Sequence, residues 1–117
     1  MLGVRIGLPE ITRVRDVNMK MNQETILNAL QENRAAIRRF GVQRLGLFGS
    51  YARGEETEAS DLDFVVEFET KSFDAYMGLK EFLEELFGRR VDLVMAGVIK
   101  PRLRDRILAE TIYAQGL

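Results

Sequence analysis

The chain has 117 residues, a formal net charge of −1, 46% hydrophobic and 30% charged residues, which suits one domain built on one core. It holds no cysteine and no histidine, which excludes disulfides, thiolate or imidazole metal sites, and Cys or His nucleophiles. Any metal must sit on oxygen ligands, any general base is a carboxylate, Lys or Tyr, and the near-neutral charge argues against direct nucleic-acid binding.

Residues 1–20 show no clear helical period, and Pro9 interrupts a weakly alternating run. They are expected to form an N-terminal arm ahead of one folded domain over 21–117. The arm is either mobile or β-like, through Val4 to Ile6 or Ile11 to Val14. No long apolar run or secretory h-region is present, so no membrane span is expected and the cytoplasm is the expected location.

Asn22 is a good N-cap, and the spacing of Ile26, Leu30, Ile37 and Phe40 predicts a helix to about Arg39, stopped by Gly41. Val42 to Phe48 reads as a first strand, and Gly46 inside it suggests close backbone approach. Gly49-Ser50 follows at the strand end, then a short helix from Tyr51 to Gly54. A glycine lets backbone come close to a ligand. The helix start offers N–H groups and a positive dipole end to phosphate, and the Ser50 hydroxyl adds a donor. Arg53 either supports that phosphate site or ties down the acidic loop Glu55 to Ser60 by ion pairing.

Asp61 to Phe68 reads as the second strand, with Phe64, Val65 and Val66 buried. On a strand, Asp61 and Asp63 point to one face about 6.5–7 Å apart. At an effective dielectric near 20 they repel by roughly 2–3 kcal/mol. Such a pair calls for a counter-charge, and Mg²⁺ binds through one or two carboxylates plus substrate phosphates. Two ions sharing the pair would clamp a phosphoryl displacement. A phosphate cradle beside paired carboxylates makes a site for Mg²⁺ and a nucleoside triphosphate.

Ser72 caps a helix that runs to Phe87 and stops at Gly88, with Tyr76, Leu79, Leu83 and Leu86 as its core stripe. Arg90 to Met95 reads as the third strand, with Asp92 among apolar neighbours. A lone Asp there is costly unless an arginine pairs with it or it binds a cation. Ile99 to Ala109 reads as a helix with Pro101 in its first turn and Ile99, Leu103 and Ile107 toward the core. Its basic residues either meet triphosphate or an acidic partner, or form a solvated face. Glu110 to Ala114 reads as a short edge strand, with Glu110 structural or, as the alternative, in the site.

The expected fold is α+β (α/β-like): one domain, a small mixed β-sheet with helices packed on it. GSYARGE followed by SDLDFVV resembles the signature of the DNA polymerase β-type nucleotidyltransferases: Gly-Ser, ten residues, Asp-x-Asp. Over roughly Met21 to Ala114 the chain is similar to the minimal nucleotidyltransferases of that superfamily. The resemblance implies transfer of NMP from NTP, ATP above all, with two Mg²⁺ ions or Mn²⁺ in their place. It implies that Asp61, Asp63 and Asp92 ligate metal, that Asp92 takes the acceptor's proton, and that Gly49 and Ser50, with Arg53, hold the nucleotide. It further implies an antitoxin that adenylylates (AMPylates) a tyrosine of a HEPN ribonuclease toxin, in complex with it. A non-catalytic module that occludes its partner, and transfer to a small molecule, are the alternatives.

Overall fold

In the computed structural model, residues 21–117 are described, and the expected arm over 1–20 lies outside them. The first helices are α1 (Gln23–Glu32) and α2 (Arg34–Arg38), followed by β1 (Val42–Phe48) and the single-turn α3 (Ser50–Arg53). Next come β2 (Leu62–Phe68), α4 (Phe73–Phe87), β3 (Val91–Met95), α5 (Pro101–Glu110) and β4 (Ile112–Tyr113). The sheet order is β3-β2-β1-β4, with β2 and β3 parallel and the other neighbours antiparallel. The expected mixed sheet with helices packed on it is therefore present.

Strand periodicity sorts the side chains of β2 into two sets. Leu62, Phe64 and Val66 face the core, where they meet Leu45 and Leu47 of β1 and Leu79, Leu83 and Leu86 of α4. Asp63, Val65 and Glu67 share the opposite face, and Val65 is buried there as well. The stripe on α4 reaches the core as its spacing requires. The Ser72 hydroxyl accepts the Ala75 N–H, and the Tyr76 hydroxyl donates to the Leu93 carbonyl at 2.6 Å, tying α4 to β3.

Several boundaries differ from expectation, each for a local reason. The first helix breaks at Asn33, whose buried side-chain amide donates to the Ala29 carbonyl at 2.8 Å. Asparagine competes in this way with the helix's own backbone bonds. The cap at Asn22 is as expected: its side chain accepts the Thr25 N–H, and Thr25 returns the bond. β2 begins at Leu62, so Asp61 stands one residue ahead of the strand, and β3 begins at Val91. The last helix starts at Pro101, not Ile99, which is buried in the turn before it. Leu103, expected in the core, is 43% exposed. Glu110 closes α5, so only Ile112 and Tyr113 form the edge strand. At Gly46 an added Cβ would lie 2.4 Å from the Thr111 methyl, so β1 approaches the α5–β4 junction as closely as its glycine suggested.

Candidate active site

Strand register brings the sequence motifs together. Asp63 lies opposite Phe48, the last residue of β1, and on its other side opposite Asp92 of β3. Directly opposed residues share a face. Asp63 and Asp92 therefore stand side by side, one strand from the point where β1 runs into Gly49. Asp61 is exposed just ahead of them. The loop before it is fastened by Ser60, whose hydroxyl accepts the Thr57 N–H at 2.8 Å.

Gly49 takes φ +78° and ψ −155°, a backbone region that is essentially glycine-only. A Cβ built there would lie 2.2 Å from Asp63 Oδ2. The Asp63 carboxylate thus occupies the space that any other residue at position 49 would fill. The Gly49–Ser50 turn and the second aspartate of the Asp-x-Asp motif interlock.

The electrostatics follow from this crowding. Burial pushes the Asp63 carboxyl from 3.8 up to about 6; the neighbouring charges of Asp92 and then Asp61 push the same way, and Arg53 pulls against them. Among the described residues, no cation pairs with Asp92, so the arginine partner considered for it is not observed. Asp63 and Asp92 offer oxygen donors only, the ligand type that a hard divalent cation takes. Among the described residues, no three acidic side chains converge as a ready cage.

Arg53 is committed to carboxylates. Its Nε donates to Glu55 at 2.9 Å, and its Nη1 donates to both oxygens of Glu110 at 3.2 Å. Glu110 in turn accepts the Gly49 N–H at 2.8 Å. The turn is therefore anchored to the end of α5 across a separation of 61 residues. Its position gave Glu110 no local signal, because the contact exists only once α5 folds back. Tyr51, buried behind the turn, accepts a hydrogen bond from Arg89, and Gln23 donates to the Ala52 carbonyl. These contacts fix α3 from the other side.

A cavity of about 370 Å³ opens at this point. Gly49, Ser50, Arg53 and Asp63 line one wall, and Leu103, Arg106, Ile107 and Glu110 of α5 line the other. The structure thus unites four of the six residues singled out from sequence in one cavity, with Asp92 beside Asp63 and Asp61 outside the strand. The α5 wall follows the i, i+3, i+4, i+7 spacing of one helix face, a pattern readable in sequence once the helix is placed to start at Pro101.

Residues 24–114 match the nucleotidyltransferase domain family. The protein adenylyltransferase MntA of Thermococcus cleftensis is 44% identical over 92 residues, covering 77% of this chain and 93% of that protein. A Methanocaldococcus jannaschii protein, provisionally named a protein adenylyltransferase, is 49% identical over 73 residues, covering 62% of this chain and 78% of its own length. A solved structure provisionally assigned as a minimal nucleotidyltransferase superposes with a TM-score of 0.70 at 41% identity, over 79% of this chain and 95% of that one. A toxin–antitoxin structure with AMP-PNP superposes at 0.59 with 26% identity, over 83% and 75%. Together these matches place the chain in the nucleotidyltransferase domain family, as one of its minimal nucleotidyltransferases.

Proposed function

We propose that this nucleotidyltransferase moves AMP from ATP onto a tyrosine hydroxyl of a HEPN ribonuclease toxin, and so acts as that toxin's antitoxin. The observation that carries the reading is the interlock of Gly49 with Asp63, beside Asp92 and within one cavity. Two similarities support the acceptor and the donor. The relative at 44% identity is named a protein adenylyltransferase, and a toxin–antitoxin structure at 26% identity holds AMP-PNP.

In this reading Asp61, Asp63 and Asp92 hold two Mg²⁺ ions, or Mn²⁺ in their place. Such ions, when bound, neutralise phosphate charge and orient the in-line displacement. The chain's own residues do the rest. Among the described residues the Ser50 hydroxyl has no partner, which leaves it available to donate to the β- or γ-phosphate. The Gly49 N–H already serves Glu110, so Gly49 contributes clearance and turn geometry. Arg53 holds Glu110 in place and lends positive potential to the cavity wall. Asp92 accepts the proton of the attacking hydroxyl; the new oxygen bond forms at the α-phosphorus, the bond to the β-phosphate breaks, and pyrophosphate leaves. Among the described residues no helix is long and apolar enough to cross a membrane, which is compatible with action in the cytoplasm.

The test is intact mass spectrometry of the chain mixed with its partner toxin, Mg²⁺ and each nucleoside triphosphate in turn. Addition of one or more AMP units to the toxin, lost with Asp61→Asn, is the expected result. A tight complex that silences the toxin with no mass gain would replace transfer by occlusion.

A further inference from the structure

The cavity beside Gly49 and Asp63 carries charges of both signs. Its acidic members are Asp63 and Glu110, and its basic members are Arg53 and Arg106. Arg53 is spoken for: Glu55 and Glu110 both accept from it. Arg106 is different. It lines the same cavity from α5, yet among the described residues it has no hydrogen-bond or ion-pair partner. A polyanion entering beside two carboxylates gains from a cation that is not already paired. Arg106 is the described cation on the cavity wall that no carboxylate already neutralises.

Arg106 is exposed to solvent, and its helix face also borders the cavity. Leu103 and Ile107, one turn apart, flank Arg106, and Leu103 stays 43% exposed at the cavity although it is apolar. Arg104 lines a different cavity, with Lys71 and Gly97, and donates to the Ile99 carbonyl at 3.3 Å. The basic stretch of α5 is thus divided, and Arg106 is its member on the nucleotide side.

We propose that Arg106 binds the triphosphate of the donor nucleotide, with α5 forming the wall of the site opposite the Gly49–Ser50 turn. The inference rests on the nucleotidyltransferase reading of that turn and adds a residue to it. A guanidinium suits the task because it stays charged and presents several donors to phosphate oxygens.

Equilibrium binding of Mg²⁺–ATP to the full chain tests it, by titration calorimetry at low and high salt. Arg106→Ala should weaken ATP binding roughly 10- to 100-fold, as for a lost hydrogen bond to a charged group. Arg106→Lys should recover part of that loss, and the loss should shrink at high salt. Adenosine binding should be unchanged, and inorganic tripolyphosphate should follow ATP. Arg102→Ala, on the same helix but away from the cavity, should bind as wild type does. Unchanged ATP affinity in Arg106→Ala, or an equal loss in Arg102→Ala, overturns the assignment while leaving the nucleotidyltransferase reading intact. Failure of the wild-type chain to bind ATP removes both. Thermal melts of each variant separate lost binding from lost folding.

Discussion

Gly49 and Asp63 occupy one small volume, and each restricts what the other position tolerates. Gly49→Ala would require a methyl group where Asp63 Oδ2 lies, on a backbone conformation that L side chains rarely adopt. The expected cost is about 1–3 kcal/mol of stability, with transfer lost because the carboxylate must move; denaturant unfolding and a transfer assay would measure the two effects. Asp63→Asn separates them differently. It should abolish transfer without unfolding the chain. Because the folded carboxyl holds its proton more tightly than the unfolded one, its stabilising contribution is full below 3.8 and is lost as pH rises through about 6. In chelator, therefore, Asp63→Asn should melt higher than wild type at about pH 7.5, and the difference should fade towards about pH 4. A variant that melts lower at both pH values would show that the carboxylate is not under the strain its neighbours imply.

At the scale of elements, α5 does more than cover the sheet. Its last residue, Glu110, joins the Gly49 amide to Arg53. Glu110→Ala leaves the buried Gly49 amide without its acceptor, while Arg53 keeps Glu55, and should cost about 1–3 kcal/mol. Glu110→Gln keeps an oxygen for the Gly49 N–H and should cost less; chemical denaturation of both variants checks the order. The exposure of Leu103 follows from the same placement, since α5 turns one face to a cavity rather than to packed side chains. The break between α1 and α2 is a smaller example: one buried asparagine amide bonds the Ala29 carbonyl and restarts the helix.

For the whole molecule, the sheet acts as a rigid frame. β1 carries the turn at its end, β2 places Asp63 opposite Phe48, and the parallel β3 supplies Asp92. The core on the other face sets that register. Leu83→Ala, at a fully buried site between α4 and the sheet, should cost about 2–5 kcal/mol and lower activity only through unfolding. Ligand linkage gives a complementary check. Mg²⁺–ATP at about 100 times its dissociation constant should raise wild-type stability by about 2.7 kcal/mol, and by much less in Asp63→Asn. Differential scanning calorimetry with and without nucleotide would report it.

The amino-acid sequence alone determined what depends on neighbours along the chain. The caps at Asn22 and Ser72, the stripe on α4, the apolar strand of Phe64, Val65 and Val66, and the ten-residue spacing from Ser50 to Asp61 are all short-range patterns. The oxygen-only chemistry of any metal site was equally legible, because histidine and cysteine are absent. What tertiary structure decided involves residues far apart in the chain. The pairing of Asp63 with Asp92 requires the parallel register of β2 and β3. Whereas the pairing of Arg53 with Glu55 is local and was open to the sequence, the anchoring of Gly49 by Glu110, the pairing of Arg53 with Glu110, and the position of Arg106 all arise when α5 folds back over the end of β1. Local propensity carries no information about such contacts, because their partners meet only after the core of the sheet has set the distance between them.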